Sequence, residues 1–464
     1  MPTRKYTYYD FTLSLCPTCL KRVDAKIIFE DDLVFMTKRC PEHGNSKVLI
    51  ADDIDYYKRI RNYNKPSEYP YTFNTKTHFG CPYDCGLCPD HEQHSCLTIV
   101  EITDRCNLTC PTCYAGSSPS YGRHRTLEEV KKMLDTIVIN EKEPDVVQIS
   151  GGEPTLHPQF FEILDYAKTL PIKHLMLNTN GIEIAKNFEF AARLKTYMPD
   201  FEIYLQFDSF SDEVLMSMRG AQLKKIREKA LAHLNELNLS TTLVVTLQKG
   251  LNDHEIGEIV NFALEQKCVR GVTFQPTQIA GRLENFDTQT DRITLTEVRR
   301  KILEQTSIFN EDDLIPVPCN PDALVMGYVL KLGENKIPLT RYINPADLLD
   351  NSKNTIVYEQ DEALKNKMLE IFSTGTSTDK ATSKLNSLLC CLPTVEAPNL
   401  GYENLFRIII MQFIDAHNFD VRAIKKSCVH IVNKDYKIIP FETMNLFYRD
   451  EKVSILEALK SKIN

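Results

Sequence analysis

Short apolar runs rich in Val, Ile and Leu recur through residues 97–276, separated by longer amphipathic stretches. LTIVEIT, VVQIS, HLMLN, EIYLQFD, TTLVVTLQ and VRGVTFQP have the length and β-branched content of strands. TLEEVKKMLDTIVI, LKKIREKALAHLNEL and DHEIGEIVNFALEQK carry helical periodicity, and Thr126 with Glu129 has capping-box spacing. Strand starts recur at about thirty residues over much of this region, the size of a βαβ unit. Six such strands fit an α/β fold built as a parallel, partly closed (β/α)6 barrel of TIM type; a flat doubly wound sheet has the same periodicity.

Outside this region the pattern changes. DAKIIFEDDLVFMTKRC alternates apolar and polar residues, which predicts a two-stranded ribbon, and ADDIDYYKRIRNYN predicts a short polar helix. After Gly281, RITLTEVRRKIL is helical, PVPCNPDALVMGYVL turns at its prolines, and STGTSTDKATSK predicts a surface loop. The expected domains are 1–75, a metal-binding ribbon; 76–98, a cysteine segment; 99–289, the barrel; and 290–464, a C-terminal α+β domain.

Composition narrows the function classes. The 464 residues are 42% hydrophobic and carry a net charge of −8, so a general nucleic-acid surface is not expected. MPTRKYTYYD has no apolar core of a secretory signal, and LFRIIIMQFI is too short to span a bilayer, so a soluble cytoplasmic protein is expected. Of 15 cysteines, ten fall between Cys16 and Cys113, a clustering that favours metal ligation over a disulfide framework.

Those cysteines form distinct groups. Cys16 and Cys19 (CPTC) with Cys40 and His43 (CPEH) suit a zinc-ribbon or rubredoxin-like site, His43 favouring zinc and a further thiolate favouring iron. Cys106, Cys110 and Cys113, in CNLTCPTC after the LTIVEIT strand, could hold three irons of a four-iron cluster and leave the fourth open. A structural zinc loop or a reduced thiol set is the alternative. Cys81, Cys85 and Cys88 repeat the same spacing, and Cys96 stands close enough in sequence to close an auxiliary cluster with them. Cys319, Cys428 and the adjacent pair Cys390 and Cys391 could build a third cluster, with burial as small apolar side chains the alternative.

The strand, the CxxxCxxC loop and a later strand ending in GGEP resemble the radical S-adenosylmethionine (SAM) superfamily. Gly151 and Gly152 allow close backbone approach at a strand's C-terminal end, where barrel sites are built. The resemblance implies that Cys106, Cys110 and Cys113 hold the SAM-binding [4Fe–4S] cluster, and that Gly151, Gly152, Glu153 and Pro154 meet the methionine amino group. Asn178, Asn180, Gln206, Asp208 and Asn252 then stand where the superfamily places ribose and carboxylate contacts, and Gln275 where it places adenine. One departure is Thr112, where an aromatic residue is frequent; Tyr114 follows the last cysteine.

CPTC, GCPYDCGLCPDHEQHSC, GGEPTLHP, YLQFDS and the late SCVH further resemble the family of tetraether lipid synthases and pterin methylases. That resemblance implies activation of unreactive C–H bonds, auxiliary clusters, and a low-potential donor such as ferredoxin or flavodoxin. Two places that carry cysteine in the family pattern read Ala323 and Glu442 here. Three functions follow as expectations. One is C–H activation on a lipid chain, joining alkyl tails, with peripheral membrane contact. Another is methylation of a small molecule such as a pterin, and the third is a non-catalytic iron–sulfur carrier.

Overall fold

The computed structural model describes residues 4–63, 68–341, 344 and 404–463. The N-terminal strands β1 (Thr7–Leu15), β2 (Arg22–Glu30), β3 (Leu33–Cys40) and β4 (Gly44–Ala51) form a four-stranded antiparallel sheet in sequence order. The expected two-stranded ribbon is its centre, β2–β3, and β1 and β4 flank it. Asp31 and Asp32, at φ 52° and 60°, make the two-residue turn, their left-handed backbone conformations giving the twist that suits a tight hairpin. Alternation along β2 and β3 buries Ala25, Ile27, Val34 and Met36 on one face. The polar stretch that follows is helical from Ile54 to Arg59, as its pattern predicts.

Six parallel strands follow in spatial order: β5 (Leu97–Thr103), β6 (Val146–Gly151), β7 (His174–Thr179), β8 (Phe201–Gln206), β9 (Thr241–Leu247) and β10 (Val269–Pro276). Helices Leu127–Glu141, Phe160–Thr169, Lys224–Leu237 and Ile256–Glu265 lie among the crossovers. The first of these begins with the capping box, Thr126 Oγ1 accepting from Glu129 N and Glu129 Oε2 from Thr126 N. All of β5 is buried because both faces are covered. Val100 and Ile102 pack in the cluster that holds the helix residues, whereas Leu97 and Ile99 belong to a second cluster inside the barrel.

The described residues beyond 290, expected to form a separate C-terminal α+β domain, extend the barrel sheet at both ends. β11 (Ile315–Pro316), β12 (Leu324–Leu332), β13 (Asn335–Pro338), β14 (Leu405–Met411), β15 (Val429–Val432) and β16 (Ile438–Pro440) complete a twelve-stranded sheet. Its path runs β11-β12-β14-β10-β9-β8-β7-β6-β5-β15-β16, with β13 paired to β12. β14 lies parallel to β10 and β15 parallel to β5, so the C-terminal residues carry the barrel past its sixth strand in both directions. STGTSTDKATSK lies outside the described residues. Among the described residues, no helix is long and apolar enough to cross a membrane.

The N-terminal ends of the parallel strands are closed by a buried polar network. Arg407 Nη2 donates to both oxygens of Glu202, each at 2.7 Å, and to Thr242 Oγ1 at 3.2 Å. His174 Nε2 lies 3.2 Å from Glu202 Oε2, and Thr242 Oγ1 donates to Glu202. Burial alone would raise the Glu202 carboxyl, but the Arg407 guanidinium and His174 outweigh it and hold it well below the usual carboxylate range. Replacing Arg407 with Met strands that carboxylate, so about 3–5 kcal/mol of stability should be lost in urea unfolding. Adding Glu202→Gln to Arg407→Met should restore a large part of it.

Candidate active site and metal centres

The loop after β5 carries Cys106 and Cys110, both buried, and Cys113, half-buried. Leu108 N donates to Cys106 Sγ at 3.4 Å, and Cys113 N to Cys110 O at 3.2 Å. Arg282 clamps the loop from beyond β10, donating to Cys110 O at 2.9 Å, Gly116 O at 2.5 Å and Ser117 O at 2.7 Å. Burial pushes the Cys106 thiol up to about 12 and also raises Cys110. Such thiols ionise when a metal bonds them, so three of them on one clamped loop fit an iron–sulfur cluster.

GGEP holds this loop in place by backbone contact. Gly152 N donates to Thr103 O and Glu153 N to Arg105 O, at 2.8 and 2.9 Å. A Cβ on Gly151, at φ +130°, would lie 2.2 Å from Thr103 O, and one on Gly152 2.2 Å from Arg105 O. Only glycine allows that approach at either position. Both glycines also border the cavity beside the cysteines. Glu153 is buried and turned away from it, accepting from Thr155 Oγ1 at 2.7 Å, Thr179 Oγ1 at 2.8 Å and Asn180 N at 2.9 Å. Pro154 opens the short 3-10 turn Pro154–Leu156 and is buried.

The cavity, of about 140 Å³, extends from Cys106, Cys110 and Cys113 into the barrel interior. Asn178, Asn180, Gln206 and Gln275 line it. Asn178 Nδ2 donates to Ser150 Oγ, whereas its buried Oδ1 has no partner, an acceptor suited to a ligand's N–H or O–H. Asp208 and Asn252 are different. Asp208, at φ 65° and fully buried, pairs with Arg219 Nε at 2.8 Å and Nη2 at 2.6 Å, and with Arg227 Nη2 at 3.2 Å. Burial works against its charge, and the two guanidiniums with Thr246 N hold its carboxyl below the ordinary range. Asn252 spends its amide on Asp208 O at 3.0 Å, Thr246 O at 2.8 Å and Gln248 N at 3.0 Å. These two residues shape the strand ends and do not line the cavity.

Arg219, which Asp208 orients, does line it. Sequence reasoning missed Arg219 because an Arg in a last helical turn before Gly220 looks like an ordinary helix end. Arg282 was missed as well, for it lies in a loop with no motif around it.

The second cysteine group departs from expectation. Cys81 is half-buried and Cys85 and Cys88 are buried, with Cys85 N bonded to Tyr448 Oη at 2.8 Å. Burial and the neighbouring Cys81 raise the Cys85 thiol. Cys96 does not close this group. It is drawn to the C-terminal hairpin, where Leu97 N donates to Cys428 O at 3.1 Å, and its sulfur lies with those of Cys319 and Cys428, all within 4.8 Å of one another. The expected association of Cys319 with Cys428 is present; Cys390 and Cys391 lie outside the described residues.

The ribbon group comes together as its spacing predicts. Cys16 Sγ lies 3.6 Å and Cys40 Sγ 3.5 Å from His43 Nδ1, and Cys19 Sγ lies 3.9 Å from Cys40 Sγ. With Zn–S near 2.3 Å and Zn–N near 2.0–2.1 Å, tetrahedral edges are about 3.8 Å between sulfurs and about 3.5 Å between sulfur and nitrogen. The donor set therefore fits zinc.

Comparison with known proteins agrees with this architecture. Residues 100–263 match the radical SAM superfamily, and residues 8–52 match the HMPTM N-terminal zinc ribbon domain. The 7,8-dihydro-6-hydroxymethylpterin dimethyltransferase of Methanocaldococcus jannaschii is 33% identical over 95% of this chain and 94% of its own length. The chain belongs to that radical SAM family. It is a radical SAM enzyme, with SAM and a [4Fe–4S] cluster as its family's cofactors. A GTP 3′,8-cyclase of Pseudomonas fluorescens is 26% identical over 46% of the chain and 62% of the cyclase. Among solved structures, Streptococcus suis SuiB bound to S-adenosylmethionine is 17% identical, with a TM-score of 0.37 over 46% of this chain and 47% of SuiB.

Replacing Cys16 and Cys40 with Ser should remove one zinc per chain and leave acid-labile sulfide unchanged, as measured by metal and sulfide analysis of the anaerobically prepared protein.

Proposed function

We propose that this radical SAM enzyme methylates a compact heterocycle of the pterin class. The lining of the cavity carries this reading. A separate void of about 20 Å³ lies deeper in the barrel, sharing Leu97, Tyr204 and Met411 with the cavity wall and lined also by Arg407 and His174. A flat ring system fits between the apolar barrel residues and the amides of Gln148, Gln206 and Gln275, which can meet its ring nitrogens and oxygens. An alkyl chain of lipid length needs an apolar channel of similar length, whereas among the described residues this cavity is lined by amides and Arg219 as well as apolar side chains. A compact substrate also needs no contact with a membrane surface. The relative that acts on 7,8-dihydro-6-hydroxymethylpterin, as its name states, supports the same class.

Cys106, Cys110 and Cys113 would hold the SAM-binding cluster, with Gly151 and Gly152 leaving room for the methionine moiety. Arg219, fixed by Asp208, would pair with its carboxylate, and the unpartnered Asn178 Oδ1 would accept from SAM. Gln275 would border the adenine. When bound, the cluster and SAM supply a one-electron cleavage of the sulfonium that generates a hydrogen-abstracting carbon radical. The surrounding residues orient both ligands and keep water from the radical. A low-potential donor of ferredoxin or flavodoxin type would supply the electron, with Cys81, Cys85 and Cys88 as an auxiliary cluster site. Thiolate centres of this kind suit a reducing cytoplasm.

Anaerobic incubation with reductant, SAM and 7,8-dihydro-6-hydroxymethylpterin should add one or two methyl groups, read by mass spectrometry. An unmodified pterin despite 5′-deoxyadenosine release would reject the substrate class. Joint replacement of Cys106, Cys110 and Cys113 by Ala should abolish 5′-deoxyadenosine; its release at the native rate would reject the cluster assignment. Arg219→Lys should weaken SAM binding roughly tenfold, the scale of one charged hydrogen bond, as measured by isothermal titration.

A further inference from the structure

The two ends of the barrel sheet meet at three thiols. Cys319 lies in the turn between β11 and β12, at one end of the sheet path. Cys96 immediately precedes β5 and Cys428 immediately precedes β15, at the other end. Their sulfurs all lie within 4.8 Å of one another, with Cys319 and Cys428 at 3.6 Å. Cys96 and Cys428 are buried and Cys319 is half-buried.

We propose that Cys96, Cys319 and Cys428 bind a single divalent ion of the zinc type, which clasps the open seam of the barrel. The 3.6 Å separation is close to the edge of about 3.8 Å that thiolates around one zinc adopt. A four-iron cluster instead distributes its thiolates over separate irons and spreads them wider. Among the described residues, the groups whose donor atoms all fall within 4.8 Å are this one and the ribbon site. Neither of the two CxxxCxxC loops is so compact.

The surroundings hold the thiols in place from both sides of the seam. His94 Nε2 lies 3.5 Å from Cys96 Sγ, and its Nδ1 is fixed by Glu141 Oε2 at 3.1 Å. Ser95 N donates to the other oxygen of Glu141 at 3.0 Å. Such second-shell contacts orient metal-binding side chains. Among the described residues these three thiolates are the ligands, which leaves one position of a tetrahedral ion over.

The clasp would stabilise the wall of the reaction cavity. Leu97 and Val429, each the next residue after a clasp cysteine, line that cavity, as do Met411 and Phe413. Gln412, between the last two, bonds through its N to Ala323 O in the Cys319 turn, at 2.8 Å. Binding across the seam would therefore tie together the two walls that face each other over the substrate. The ion takes no part in the reaction, so this inference stands apart from the choice of substrate.

Metal and sulfide analysis of the anaerobically prepared holoprotein tests it. Wild type should contain two zinc-type ions per chain, one in the ribbon and one in the clasp. The Cys16→Ser/Cys40→Ser protein should keep one, with a zinc-edge absorption spectrum showing three sulfur neighbours. Cys319→Ser should remove one ion with sulfide unchanged and speed amide exchange in β12 and β15 at least tenfold. One zinc-type ion per wild-type chain would overturn the proposal. So would loss of four irons and four sulfides in Cys319→Ser. If that variant does not fold, the wild-type count and the spectrum of the ribbon variant still decide.

Discussion

The Glu202–Arg407 pair is the contact on which the rest of the barrel rests. It joins β8 to β14 across two intervening strands, with Thr242 on β9 completing the link. A carboxylate and a guanidinium buried together are stable only when each satisfies the other, so this contact fixes how the strands sit around the lumen. It also makes the floor polar. Arg407 and His174 line a small void at this end of the barrel, which shares Leu97, Tyr204 and Met411 with the wall of the cavity beside the cysteines.

The same logic recurs at the opposite end of the strands. Asp208 faces away from the cavity, yet its pairing with Arg219 and Arg227 fixes a guanidinium beside the cysteine loop. Glu153 ties β6 to β7 while the glycines before it brace the loop. Asp208 acts on its two arginines and Glu153 on Thr155, Thr179 and Asn180, while Arg219 and the uncharged amides of Asn178, Gln206 and Gln275 line the cavity.

Much of this was legible in the sequence because local patterns carry it. The six parallel strands follow from their spacing, the Thr126 capping box from three residues, and the ribbon site from two short motifs. Asp208 and Asn252 were misjudged because a strand-end carboxylate or amide looks alike whether it faces a ligand or a buried Arg. Cys96 was misassigned for a related reason. Sequence proximity joined it to Cys88, but its neighbour is set by the pairing of β5 with β15, a long-range contact with no local signature. The spread of the C-terminal strands to both edges of the sheet was hidden for the same cause.

That pairing has a consequence for how the molecule is made. β5 opens the barrel, and β15 beside it comes from near the other end of the chain. During synthesis the first six strands can form in order as they emerge, each beside its predecessor. The last edge of the sheet cannot, because its partner is still inside the ribosome. The flank of β5 that follows Cys96 therefore stays unpaired until β15 has been made, which leaves an interval in which metal carriers can reach thiols that the finished fold encloses.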